Sequence, residues 1–170
     1  MQERRASLQG RGSVLHKIVQ SYICHALPPG STKIEYMHCS LNRIIDIFWT
    51  QENIGFEIQC SPISLEEIKA RCSDYKRANI LVIWILHQKT FNKKYLPLSE
   101  FYLRHNEICY YTNISLTGNG YIYDQKDFLY NRMRTQVSAH HPINISSLSA
   151  KKQSRTSFPF PLLIKKIFHL

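Results

Sequence analysis

Leu15, Ile18, Val19, Tyr22 and Ala26 recur at the spacing of one helix face, with Ser13 as a candidate N-cap and Pro28-Pro29-Gly30 as a stop. They predict an amphipathic first helix. Apolar and polar residues then partly alternate between Lys33 and Cys39, and Arg43 to Trp49 is rich in β-branched and aromatic types, so two strands are expected. The polar loop Thr50-Gln51-Glu52-Asn53 separates the second of these from Ile54 to Cys60, the pattern of an antiparallel hairpin. Ser64 to Glu67 has the form of a capping box, and Leu65, Ile68, Cys72 and Tyr75 make one stripe, predicting a second helix that ends near Ala78 and Asn79. Ile80 to Leu86 is apolar without alternation, as in a strand covered on both faces in a parallel arrangement, so a βαβ crossover is expected.

Beyond His87 the pattern weakens. Pro97 to Tyr111 reads as partly helical and Thr117 to Gly120 as a turn, while Tyr121 to Arg134 is aromatic and mixed in charge with no clear period. Ser146 to Ser157, rich in Ser, Lys and Arg, reads as a linker before Phe158-Pro159-Phe160-Pro161 and the apolar-basic run Leu162 to Leu170. Three segments result: a core over 13–90, a helical or irregular extension over 91–145, and a basic linker and tail over 146–170. For the tail, docking on its own core or disorder is favoured over contact with a membrane or a partner.

The chain has 170 residues, 44% hydrophobic and 20% charged, a globular composition. Its longest apolar run is far shorter than the about 20 residues of a membrane-spanning helix, and no apolar stretch follows the charged first residues as in a secretory signal. A cytoplasmic protein without a membrane span is expected. The 5 cysteines are widely spaced without a CxxC pair, which argues for free thiols rather than a disulfide framework or zinc site, so the sequons at Asn113 and Asn144 are discounted.

The net charge of +10 favours a polyanionic partner. Yet Glu35, Asp46, Glu52, Glu57, Glu66 and Glu67 lie in a stretch whose one Lys or Arg is Arg43, an acidic nucleus inside a basic chain. Closing the hairpin on Trp49 and Ile54 sets Asp46 opposite Glu57, where like charges repel and an unpaired carboxylate in an apolar strand is costly. A positive group is required between them, and a Mg²⁺-type cation is the economical candidate. Gln59, two residues after Glu57, shares its face and is suited to orient water or a phosphate oxygen. The alternative from spacing alone is a solvated hairpin whose acids are hydrated or paired with Arg43.

These residues also carry a resemblance. Gly55 to Ser64, followed by Arg71, Tyr75 and the strand Ile80 to Leu86, resembles the central signature of the competence protein CoiA-like family, over roughly residues 13–90. The resemblance implies a PD-(D/E)XK nuclease-like α/β fold, with a mixed central sheet flanked by helices, here followed by a basic C-terminal extension. It also implies a role in DNA uptake and recombination during natural transformation. Carried over by position, Asp46 is the first metal-ligand acid, Glu57 the second, and Gln59 stands for the motif lysine. Members of this fold often place another acid on the first helix. No Asp or Glu lies between Gln9 and Ile34 here, so His16 or Gln20 stands in, and His16 joins the catalytic set. Lys69 and Arg71 are candidates for the missing positive charge. The expected function is Mg²⁺-dependent, or Mn²⁺-dependent, cleavage of DNA phosphodiesters, with recombination proteins as further partners. The rivals are a catalytically inactive DNA-binding accessory protein of recombination and an α/β interaction module.

Overall fold

A computed structural model describes residues 13–41 and 43–148. Helix α1 (Val14–Ala26) starts where the Ser13 hydroxyl accepts the His16 amide at 3.3 Å, and its inward face buries Val19, Gln20 and Ile23. Leu27 is extended and two prolines follow, so the chain leaves the helix there. Strands β1 (Thr32–Met37), β2 (Ile44–Trp49) and β3 (Ile54–Gln59) form an antiparallel meander. The expected hairpin register is present, with Trp49 opposite Ile54, Phe48 opposite Gly55 and Ile47 opposite Phe56. Helix α2 (Leu65–Arg77) is capped by Ser64, whose hydroxyl accepts the Glu67 amide at 3.1 Å, as the capping box predicts.

Strand β4 (Leu81–His87) runs parallel to β3 and to β5 (Ile108–Thr112), with helix α3 (Leu98–Asn106) before the latter. Flanked on both edges and covered on both faces, β4 buries Val82 through His87, which is why its sequence does not alternate. Strands β6 (Ile122–Asp124) and β9 (His141–Pro142) complete a seven-stranded mixed sheet in the order β1-β2-β3-β4-β5-β6-β9, and β7 (Asp127–Tyr130) pairs with β8 (Met133–Val137) in a separate hairpin. Residues 98–142 therefore add one helix and edge strands to the same sheet where the sequence shows little periodicity. Strands of three and two residues are too short to display a period.

Two apolar layers cover the sheet. Ile68, Cys72 and Tyr75 of α2 and Leu103 of α3 pack with Val82, Trp84 and Leu86 on one face. On the other, Val19 and Ile23 of α1 pack with Phe56, Ile58, Ile83 and Ile85. The result is a three-layered α/β arrangement. Ile145, which opens a short 3-10 turn at Ile145–Ser147, and Leu148, which caps it, are buried in the α1-side layer, and the rest of the expected linker and tail lies outside the described residues.

Candidate functional site

Between β1 and β2 the pairing runs from Ile34 with Ile47 to Tyr36 with Ile45, and the intervening Glu35 and Asp46 form no ladder pair. Glu35 has φ +47°, left-handed backbone that an ordinary side chain rarely adopts. Ile45 and Phe48 both join the layer beneath α2, whereas Ile47 and Trp49 join the layer beneath α1, so the inside-outside alternation of β2 breaks at Asp46. The β2–β3 ladder also ends at Ile47 and Phe56, one step short of the Asp46–Glu57 pair. Instead, the Asp46 carboxylate accepts the Ile58 amide at 2.8 Å, bridging the opening between the two strands.

Helix α1 reaches this point from one side. Gln20 donates to the Asp46 carbonyl at 2.8 Å, and His16 Nε2 lies 3.6 Å from Asp46 Oδ1. Both stand-ins expected on the first helix thus meet Asp46. Burial holds the His16 imidazole below its ordinary value, although Glu57 pulls the other way, which favours the neutral ring.

From α2 come the partners of Glu57, which is 1% exposed. Arg71 donates to its Oε2 at 2.6 Å and the Tyr75 hydroxyl donates to its Oε1. Burial raises the proton affinity of Glu57, the neighbouring Asp46 charge raises it further, and Arg71 and Tyr75 only partly offset this. Asp46 is raised as well, chiefly by burial against the Ile58 hydrogen bond and the Arg71 charge. The two carboxylates expected to share a face are therefore served by opposite helices, yet the Asp46 charge still acts on Glu57.

The positive group that the spacing demands is present as Arg71. Its Nε also donates to Glu67 at 2.8 Å, and Glu67 in turn accepts from Arg43 at 2.8 Å, with Arg43 continuing to Asp74. This corrects the solvated-hairpin alternative, since Glu57 is buried and Arg43 is held by acids of α2. Lys69 is not at the site; its ammonium sits 5.7 Å from the Tyr102 ring centroid. Gln59 follows Glu57 on the same strand, and its Nε2 donates to the Ser61 carbonyl at 2.7 Å. Tyr75 reads in the sequence as part of the core stripe and of the family signature, with no role at the site, because a tyrosine on an apolar face shows nothing of where its hydroxyl goes.

Two carboxylates are the donor set that Mg²⁺ commonly takes from a protein while water and phosphate fill its other positions. Among the described residues, no group of three His, Cys, Asp or Glu is arranged to hold a metal ion.

A family model of the competence protein CoiA nuclease-like domain matches residues 28–165. The chain belongs to this family. The match includes Asp46, Glu57, Gln59, Arg71 and Tyr75 and runs well past residue 90, taking in α3 and the later strands, while His16 and Gln20 precede it. No curated protein matches, and no solved structure matches. Among the described residues no helix is long and apolar enough to cross a membrane.

Proposed function

We propose that this CoiA-family chain is a metal-dependent DNA phosphodiesterase of PD-(D/E)XK type serving DNA uptake or recombination. The observation that carries the reading is the half-buried Asp46 and the buried Glu57 at the parting of β2 and β3, both with raised proton affinity. Burying like charges together is unfavourable for folding, and a cation relieves it. Asp46 and Glu57 would hold Mg²⁺ or Mn²⁺, which when bound supplies an activated water and neutralises charge at the phosphate. Arg71 partly offsets the burial of Glu57 and so favours its ionised form beside Asp46. Neutral His16 offers a nitrogen next to Asp46 that can accept a proton from water. Gln59, at the end of β3, is positioned to orient water or a phosphate oxygen once its amide leaves Ser61. The basic remainder of the chain, net +10, attracts the DNA backbone.

A second reading, a DNA-binding accessory protein of recombination without cleavage, is favoured by the engagement of both Glu57 oxygens by Arg71 and Tyr75. Cleavage of single-stranded and duplex DNA by wild type and Asp46→Asn, with Mg²⁺ and Mn²⁺, separates the two. The phosphodiesterase reading expects cleavage that Asp46→Asn nearly abolishes while DNA binding stays equal or tightens, because a negative charge has been removed. Binding by wild type with no cleavage under either metal establishes the accessory role, and cleavage that survives Asp46→Asn places the activity elsewhere.

A further inference from the structure

Large apolar side chains on the surface of the described residues concentrate away from the acidic site. Tyr95 (63% exposed), Phe128 (63%) and Tyr130 (64%) are the aromatic members of the strongly exposed set, and all three lie on the β7–β8 hairpin or the segment bridged to it. Their arrangement follows from register. Tyr130 pairs with Met133, Met133 pairs on its other side with Tyr95, and Phe128 is two residues before Tyr130 on the same strand. Directly paired residues share a face, and although the register shifts between Phe128 and Leu129, β7 keeps its alternation with Phe128 and Tyr130 both exposed, so the three rings form one outward surface with Met133 between them.

The inward face of the hairpin is held firmly. Arg134, 5% exposed at its side chain, lies 2.6 Å from Glu100 and 3.1 Å from Asp127, donates to the Tyr111 hydroxyl at 2.6 Å, and also donates to the Lys93 carbonyl. A buried ion cluster of this kind adds little net stability compared with apolar packing but fixes geometry. Asp127 is spent on that cluster. The other charged side chains on or beside the hairpin and in the 93–98 segment are Lys93, Lys94, Lys126 and Arg132, all exposed.

We propose that the outer face of the β7–β8 hairpin, with Tyr95, is a stacking platform for the bases of single-stranded DNA, the cations beside it holding the phosphates. This rests on the DNA-binding reading above and names the form of DNA that is engaged. The choice follows from complementarity: a rigid aromatic face alone fits an apolar partner, but one edged by four cations without a free acid fits a polyanion that presents flat apolar surfaces. Duplex DNA keeps its bases stacked inside and cannot offer them to a flat face. The 88–97 segment leaves the C-terminal end of β4 beside the end of β3, where Thr90 donates to the Cys60 carbonyl at 2.6 Å.

The test uses the full chain and fluorescence anisotropy with labelled oligothymidylate and a duplex of equal length. Phe128→Ser with Tyr130→Ser should weaken single-strand binding at least about tenfold, since each stacked ring contributes roughly 5- to 150-fold, and leave duplex affinity within about twofold. Lys93→Gln with Lys94→Gln should weaken both. Iodouracil crosslinking of wild type to a single strand, mapped by mass spectrometry, is expected at Tyr95, Phe128 or Tyr130 and guards against a misfolded variant. If wild type binds neither form of DNA, the DNA-binding reading and this inference fall together. If it binds both while the ring variant matches wild type and the crosslinks fall elsewhere, the platform alone is overturned. A ring variant that converts a dimer to a monomer with unchanged single-strand affinity marks the face as a self-association surface and also overturns the proposal.

Discussion

Glu57 shows how one buried side chain sets a pH dependence. Its folded-state affinity for a proton is raised, so the stability it contributes is fully present below the ordinary carboxylate value of about 4.3 and is lost as pH rises through the raised folded value. The slope is at most about 1.4 kcal/mol per pH unit for one group. His16 acts in the opposite sense, because a lowered imidazole loses stability as pH falls below about 6.5. Comparing variants separates the two: without divalent cation, Glu57→Gln should lose less stability than wild type between pH 5 and 8 (roughly the span covering both groups), measured by denaturant unfolding. An equal loss in both proteins would show that Glu57 is not raised by its surroundings. At Gln59 the prediction concerns rate. Gln59→Lys places a cation beside Glu57 where charge develops on a transferring phosphate, and should raise a weak Mg²⁺-dependent cleavage by about tenfold or more. Cleavage that stays level or falls in the folded variant would show that Gln59 does not occupy the lysine position of the motif.

At the level of elements, the β7–β8 hairpin depends on Arg134. Arg134→Met leaves Glu100, which is 0% exposed, and Asp127 without their cation, and breaking such a buried pair costs about 3–5 kcal/mol. Hydrogen exchange should accelerate over residues 127–137 more than over β3 and β4, and uniform acceleration would mean that the hairpin is not held locally. The turn before β6 has a different constraint. Gly120 has φ +135°, and a Cβ there would stand 2.6 Å from the Ile114 Cα, a backbone atom that cannot move aside. Gly120→Ala should therefore cost more than about 1 kcal/mol, read as a lowered denaturation midpoint.

For the molecule as a whole, the acidic site sits inside a chain of net charge +10, and DNA affinity should fall steeply with salt as phosphate neutralisation releases counterions. Lys151, Lys152, Arg155, Lys165 and Lys166 lie in the acid-free tail, outside the described residues. Ile145 and Leu148 are buried in the α1-side layer, so truncation after Leu148 removes those cations and keeps both of these residues. The truncated chain should bind more weakly, with a salt slope shallower by about 0.7–0.9 for each phosphate that the tail neutralises in the intact protein. An unchanged slope would show that the tail neutralises none.

How far the fold could be read from the chain depended on the length and regularity of its elements. From Ser13 to His87, helices of 13 residues and strands of 6 or 7 carry enough positions for a period, a cap or an unalternating buried run, and both helices, the hairpin register and the parallel strand follow from them. Asp46 and Glu57 stand out in the sequence because an acid in an apolar strand is costly wherever it lies, and Gln59 because it lies two residues after Glu57 on the same strand. What those acids touch was decided by tertiary structure. His16 and Gln20 reach Asp46 from α1, Arg71 and Tyr75 reach Glu57 from α2, and the alternation of β2 breaks between them. The late edge strands and the aromatic face of the hairpin belong to the same class. Local pattern records how a segment divides its own faces between core and water, whereas a carboxylate's partner or a ring's neighbour comes from residues far along the chain, brought near only when the layers pack.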